Sequence, residues 1–188
     1  MSEKPVQMKD STDKGSEEKV TLKGILIDII QIVGTALILT FLLLIFIQPS
    51  IVDGPSMNPT LLHGDKLILW KLGNVTHNDI VVFNSHDAKN NNYVKRVIGI
   101  EGDHIVIQNS VITVNDEVLN ETYINEPVFN GDVDIIVPED CIYVLGDNRN
   151  HSNDSRAFGS VKVSDIKGKV VFNFDKMIRD IVSMIKGD

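Results

Sequence analysis

Three short stretches of this sequence carry side chains that could do chemistry. The first is Gly54-Pro55-Ser56-Met57-Asn58-Pro59, a small hydroxyl residue with proline on either side. The prolines restrict the backbone on both flanks and Gly54 leaves room for another backbone to approach, so Ser56 reads as a presented side chain. The second is Tyr93-Val94-Lys95-Arg96-Val97-Ile98-Gly99, with two cations inside an apolar run. On a strand Lys95 shares a face with Tyr93 and Val97, and Arg96 with Val94 and Ile98, so one cation of the two is expected to point inward. A lysine held among apolar neighbours has a lowered pKa, and a neutral lysine is a base. Taken alone, a solvated lysine on an edge strand is the commoner case.

The third stretch is GDNRNHSNDSRAFG, Gly146 to Gly159, a loop dense in short hydrogen-bonding side chains at the end of an apolar strand. Asp147, Arg149, Asp154 and Arg156 can pair in opposite signs and hold the loop rigid, while Ser152 and Ser155 are free to bond something nearby. By composition alone it is equally a plain polar turn or the support of a site. His63, His77, His86, His104 and His151 show no metal-ligand spacing, so no metal and no cofactor is expected. His151, next to Ser152, leaves a Ser-His-Asp mechanism as the weaker alternative. The lone Cys141 lies in Cys-Ile-Tyr-Val and reads as a buried strand residue.

These side chains need elements to position them. The chain has 188 residues, with 18 Lys+Arg against 26 Asp+Glu for a net charge of -8. No basic patch is visible, so a nucleic-acid partner is not expected. Residues 1–24 are polar and charged, a composition that does not bury enough surface to order itself, and read as a disordered tail. Residues 25–47 read as one transmembrane anchor; its densest part, Ile29 to Ile47, spans about 28 Å as a helix. Lys4, Lys9, Lys14, Lys19 and Lys23 precede it and no Lys or Arg follows until Lys66, which places the N-terminus in the cytoplasm and residues 48–188 outside. A cleavable leader fits poorly, because the apolar run is long and no small-x-small site follows it.

Residues 48–188 read as one mainly β domain. Short β-branched runs at Lys66–Trp70, Asp79–Phe83, Tyr93–Ile100, His104–Gln108, Val111–Val114, Asp134–Val137, Cys141–Gly146 and Gly168–Phe174 are separated by turn residues. Gln108 to Val111 and Val114 to Glu117 read as hairpin corners, and Ala88 to Asn92 as a polar loop. The end of the chain, with Met177, Ile178, Ile181, Val182 and Ile185 at helical spacing, predicts a short amphipathic helix capped by Asp175, which packs on the domain or lies on a membrane.

In this order, an anchor, SMNPTL, DIVVF, YVKRVIG with GDHI, and GDNRNHSNDSRAFG, the chain resembles the type I signal peptidases, peptidase family S26, in a single-anchor, Gram-positive-like form. The resemblance implies the β fold of that family, shared with LexA-like domains, and a Ser/Lys dyad. In it Ser56 attacks the scissile carbonyl and Lys95 is the general base, with Ser152 hydrogen-bonding the lysine amine. It also implies that Asp147 with Arg96, and Asp154 with Arg156, shape the site. The Ser56 amide is an oxyanion donor; Gly54 either adds a backbone donor or makes room for substrate. The implied substrates are signal peptides of secreted preproteins, with small residues at the first and third positions before the cut. Val52, Leu61, Tyr93 and Val94 are the candidates to line their pockets, and the peptide is expected to add to a sheet edge. Implied partners are the lipid bilayer and, nearby, the secretion translocon. The rival readings are a Ser/Lys peptidase dedicated to a pilin or conjugation protein, a LexA-like self-cleaving protein, disfavoured by the anchor, and a non-enzymatic β domain on a tether.

Overall fold

The structure is a computed structural model and describes residues 22–85, 91–129 and 131–186. Helix α1 spans Leu22–Phe46. It starts three residues before the expected anchor and stops one residue short of Ile47, which begins a strand. Residues 1–21 of the expected tail lie outside the described residues. None of the α1 side chains is buried, and the hydroxyl of Thr35 donates back to the Gln31 carbonyl at 2.8 Å. From Ile29 to Phe46 the helix carries no charged side chain, and an apolar helix surface of that length suits a hydrocarbon environment.

From Leu42 onward the chain forms a second unit, built almost wholly of antiparallel strands. They are β1 (Ile47–Ile51), β2 (Lys66–Trp70), β3 (Ile80–Asn84), β4 (Asn92–Ile100), β5 (His104–Gln108), β6 (Val111–Val114), β7 (Glu117–Val118), β8 (Val133–Ile136), β9 (Cys141–Leu145), β10 (Val161–Lys162) and β11 (Ile166–Asn173). A single turn of helix, α2 (Ser155–Phe158), precedes β10, and α3 (Phe174–Lys186) closes the chain. Seven strands make one sheet in the order β1-β2-β11-β3-β4-β9-β10, and β7-β6-β5-β8 make a smaller one. The mainly β class expected from the alternating runs is therefore observed.

Both expected hairpin corners are two-residue turns. Asn109 and Ser110 join β5 to β6, and Asn115 and Asp116 join β6 to β7, all four with positive φ. Such turns match the right-handed twist of the strands they connect, which is why Asn and Asp serve there. The expected loop at Ala88–Asn92 falls largely outside the described residues, as does His86.

Strand β4 lies at the centre of the large sheet, paired with β3 on one side and β9 on the other. Its two faces meet different apolar clusters. Val97 packs with Val81, Phe83, Ile142 and Val144, whereas Ile98 packs with Ile105, Ile107, Tyr143 and Leu145 beneath the small sheet. A third cluster, Val52, Met57, Leu61, Leu67, Leu69 and Val82, fills the space under the Ser56 turn. Because both faces of β4 are covered, both of its cations are buried, where one was expected: Lys95 is 3% and Arg96 8% exposed.

Two details at the C-terminus differ from expectation. Asn173, not Asp175, caps α3, its Oδ1 accepting from the Lys176 amide at 3.0 Å. Asp175 sits in the first turn and accepts from the Lys66 amide at 2.7 Å. Cys141 is a strand residue as expected but half-buried.

Candidate active site

The turn after β1 is held by backbone bonds at its base, Val52 N donating to Asp65 O and Gly64 N to Val52 O, both at 2.9 Å. Met57 plugs into the apolar cluster beneath with no exposed surface, and Leu61 and Val52 are each 2% exposed. Ser56 is thereby held half-exposed at the rim. The Asn58–Pro59 peptide is cis. Across the gap, the Asn148 amide donates to the Ser56 carbonyl at 3.0 Å and its side-chain amide donates to the Pro55 carbonyl at 3.1 Å.

Lys95 reaches this turn from β4. Its Nζ donates to Ser56 Oγ at 2.8 Å and to the Val94 carbonyl at 2.9 Å, and lies 5.3 Å from the Tyr93 ring centre. Among the described residues no carboxylate touches it. Burial lowers its pKa from 10.5 to about 8, although Asp154 and Asp147 pull the other way from a distance. Desolvation disfavours the ammonium form, so an appreciable fraction of this lysine is neutral near physiological pH and competent to take a proton from the hydroxyl it contacts.

The loop after β9 supplies the carboxylates, each matched to an arginine. Asp147 accepts from Arg96 Nε at 2.8 Å and Nη2 at 2.6 Å. Asp154, fully buried, accepts from Arg156 Nε and Nη2 at 2.8 Å each and from the Gly146 amide at 3.0 Å. Two-pronged pairs of this kind fix geometry as well as charge. Gly146 is where this loop meets the Ser56 turn. A Cβ there would strike the Ser152 side chain and come within 2.5 Å of the Ser56 carbonyl oxygen, so only glycine lets the two approach.

Beside the dyad a cleft of about 290 Å³ opens. Val52, Tyr93 and Val94, three of the four expected pocket residues, line it together with Ser50, Ile51 and Asn153. Leu61 does not line it; it lies in the cluster below, beside Val52 and Met57.

Residues 26–174 match the family described as Signal peptidase, peptidase S26. The chain is 39% identical over 160 residues to signal peptidase I of Bacillus caldolyticus, covering 76% of this chain and 86% of that protein. It is 35% identical over 176 residues to signal peptidase IB of Staphylococcus aureus, covering 81% and 91%. The chain belongs to the signal peptidase family, peptidase S26. A solved signal peptidase I from Enterococcus faecalis is 29% identical, with a TM-score of 0.47, covering 52% of this chain and 97% of that one. The family match over residues 26–174 and the two curated relatives bear out the resemblance carried by the four motifs.

Within that family frame, Ser152 and Arg149 sit differently from expectation, and the Gly54 amide has a partner of its own. Ser152 Oγ is buried but makes no hydrogen bond to Lys95 or to any other described residue, because the Lys95 amine is directed at Ser56 and Val94. The Gly54 amide donates to His63 Nδ1 at 3.1 Å, with Gly54 at φ 90°, so its N–H is engaged elsewhere. The Ser56 amide finds no acceptor among the described residues. Arg149 pairs with Glu121 and not within its own loop.

Sequence reasoning missed Glu121, Tyr123 and Asn148. The Tyr123 ring lies under the Arg96 guanidinium at 3.9 Å, and its hydroxyl donates to Glu121 at 3.0 Å. Glu121 and Tyr123 come from an irregular segment with no periodicity to mark it. Asn148 lies inside the quoted Gly146–Gly159 loop, and its amide character was the available signal.

Proposed function

We propose that this chain is a membrane-anchored serine endopeptidase that removes N-terminal signal peptides from secreted preproteins, with Ser56 as nucleophile and Lys95 as general base. The observation that carries the assignment is the 2.8 Å contact between Ser56 Oγ and the amine of a buried lysine that no carboxylate among the described residues touches. In the first step neutral Lys95 takes the Ser56 proton as Oγ bonds to the scissile carbonyl carbon. The charge on the carbonyl oxygen is met by the Ser56 N–H, which has no competing acceptor in the described structure. Collapse breaks the C–N bond and the Lys95 ammonium returns its proton to the leaving amine, freeing the mature protein. A water then attacks the ester, gives one proton to Lys95, and releases the signal peptide as Ser56 regains its own.

Asp147 with Arg96 and Asp154 with Arg156 position the dyad without touching the reacting atoms. The substrate lies extended along the free edge of β1, whose Ser50 and Ile51 line the cleft. A small cleft walled by Val52, Tyr93 and Val94 favours small side chains at the first and third positions before the cut. Helix α1, 25 residues long and without a charged side chain from Ile29 to its end, is the anchor, with the lysine-rich N-terminus cytoplasmic and the β domain outside, beside the secretion machinery. A signal peptide emerges from the bilayer only at its end, and Ser56 stands nine residues past Ile47 in the chain.

The test is the full chain in vesicles with a mixed preprotein pool, the new N-termini read by mass spectrometry. Cuts after small-x-small sequences in many preproteins, lost in Ser56→Ala, are the expected result. Cleavage by the Ser56→Ala protein would sink the mechanism, and a single accepted substrate would point to a dedicated processing enzyme.

A further inference from the structure

Helix α3 is attached to the β domain by its charged side. Arg179 forms a two-pronged ion pair with buried Asp65, at 2.6 and 2.9 Å, and Asp65 also accepts from the cap residue Asn173 at 2.7 Å. Asp175 holds the Lys66 amide. The pair with Arg179 keeps the Asp65 carboxyl at a pKa of about 2. A 13-residue helix on a water-soluble domain normally does the reverse, burying its apolar stripe and showing its charges.

At 100° per residue Phe174, Met177, Ile178, Ile181, Val182, Met184 and Ile185 occupy one arc of α3, while Asp175, Lys176, Arg179, Asp180, Ser183 and Lys186 occupy the other. The apolar arc is open: Ile178 is 54%, Ile181 47% and Ile185 79% exposed. It continues onto β11 through Phe172, whose ring stacks edge-on with Phe174 at 4.7 Å. The root of α3 lies two strands, about 10 Å, across the sheet from β1, the strand that follows α1 in the chain.

We propose that the apolar face of α3 lies in the headgroup–acyl boundary of a phospholipid bilayer, as a second attachment of the β domain. The proposal rests on the reading of α1 as a membrane anchor. An anchored chain holds a lipid surface within reach of its own domain, whereas a second copy must be found by diffusion. Lys176 is paired with Asp180 at 2.8 Å, which leaves Lys186 on the polar arc to suit anionic headgroups, and a clean apolar arc beside a charged one is the signature of helices that lie in the interface plane. Two attachments restrict the tumbling of the domain about its tether and so keep the cleft at one height above the bilayer.

The experiment uses the full chain, Cys141→Ser, reconstituted in vesicles of equal parts phosphatidylcholine and phosphatidylglycerol. A spin label is placed in turn at Ile178→Cys, Ile181→Cys, Ile185→Cys and Ser183→Cys, with Leu37→Cys in α1 as a separate reading of the anchor. Retained preprotein cleavage reports folding, and Met177→Cys or Val182→Cys offers the same face should one label disturb it. Labels at 178, 181 and 185 should be relaxed more by oxygen than by a water-soluble nickel chelate, with the ratio reversed at 183. Water-like ratios at all four overturn the proposal, as do dipolar couplings between copies, which would make a second chain the occupant. A water-like Leu37 beside lipid-like α3 labels would sink the anchor reading alone.

Discussion

Lys95 and Arg96 are neighbours on one strand, both cationic, both buried, and the domain treats them in opposite ways. Arg96 receives a carboxylate in a two-pronged geometry from Asp147, the Asn78 carbonyl at 3.1 Å and the face of Tyr123. Lys95 receives a hydroxyl, one carbonyl and apolar walls. The matched cation stays charged as a fixed strut, whereas the unmatched one sheds its proton readily, as the proposed base must. Burial alone does not make a base; burial without a counter-charge in contact does.

The comparison breaks most visibly when Arg96 is given the environment of its neighbour. In Asp147→Ala the guanidinium, too basic to neutralise itself, stays charged in a buried site. Removing one partner of a buried pair costs about 3–5 kcal/mol, a large part of a domain's stability. Urea unfolding of the full chain in detergent should show this loss, and Asp147→Asn, which keeps some hydrogen bonding, a smaller one. An Asp147→Ala protein as stable as the parent would mean that the pair is not a strut.

The pH profile tests the other half. With a Lys95 pKa of about 8, kcat/KM should rise about tenfold per pH unit below that value and level off above it, because the neutral amine is the active form. A profile levelling near pH 6.5, the ordinary histidine value, would transfer the role to His151 and end the contrast between the two cations.

How far this contrast could be read before the structure differs by residue. The alternating runs that became β2, β5 and β6 are legible because each carries its pattern locally, and the Asn-rich corners carry their turn chemistry with them. Strand β1 was not legible: its first residue continues the apolar run of α1, and Gln48-Pro49-Ser50 shows no alternation until β2 pairs with it. The burial of Lys95 and Arg96 together was likewise hidden, since it depends on β9 and the small sheet covering both faces of β4. Tyr123 under Arg96 is a contact across 27 positions in sequence, made by a segment without periodicity. Motif order singles out Ser56 and Lys95; their company is set by tertiary packing.

The smallest effect is the most specific to the contrast, because it runs against the usual direction of core mutations. A group whose folded pKa is lowered from 10.5 to about 8 and whose neutral form is preferred by the fold opposes folding wherever the unfolded chain holds the proton more tightly. For Lys95 that opposition is complete below about pH 8, shrinks as pH climbs, and vanishes above about 10.5. The shift corresponds to an upper limit of about 3 kcal/mol, from which the lost contacts to Ser56 and Val94 subtract. Lys95→Met, with similar length and no charge, should therefore be inactive yet more stable at pH 7, by on the order of 1–2 kcal/mol. The gain should fade as unfolding is measured at pH 9 and then 10.5. Arg96→Met has no such gain to make, because Asp147 would be left as a buried carboxylate alone. A Lys95→Met protein destabilised equally at every pH would show that the lysine, like its neighbour, is held by its partners and not despite them.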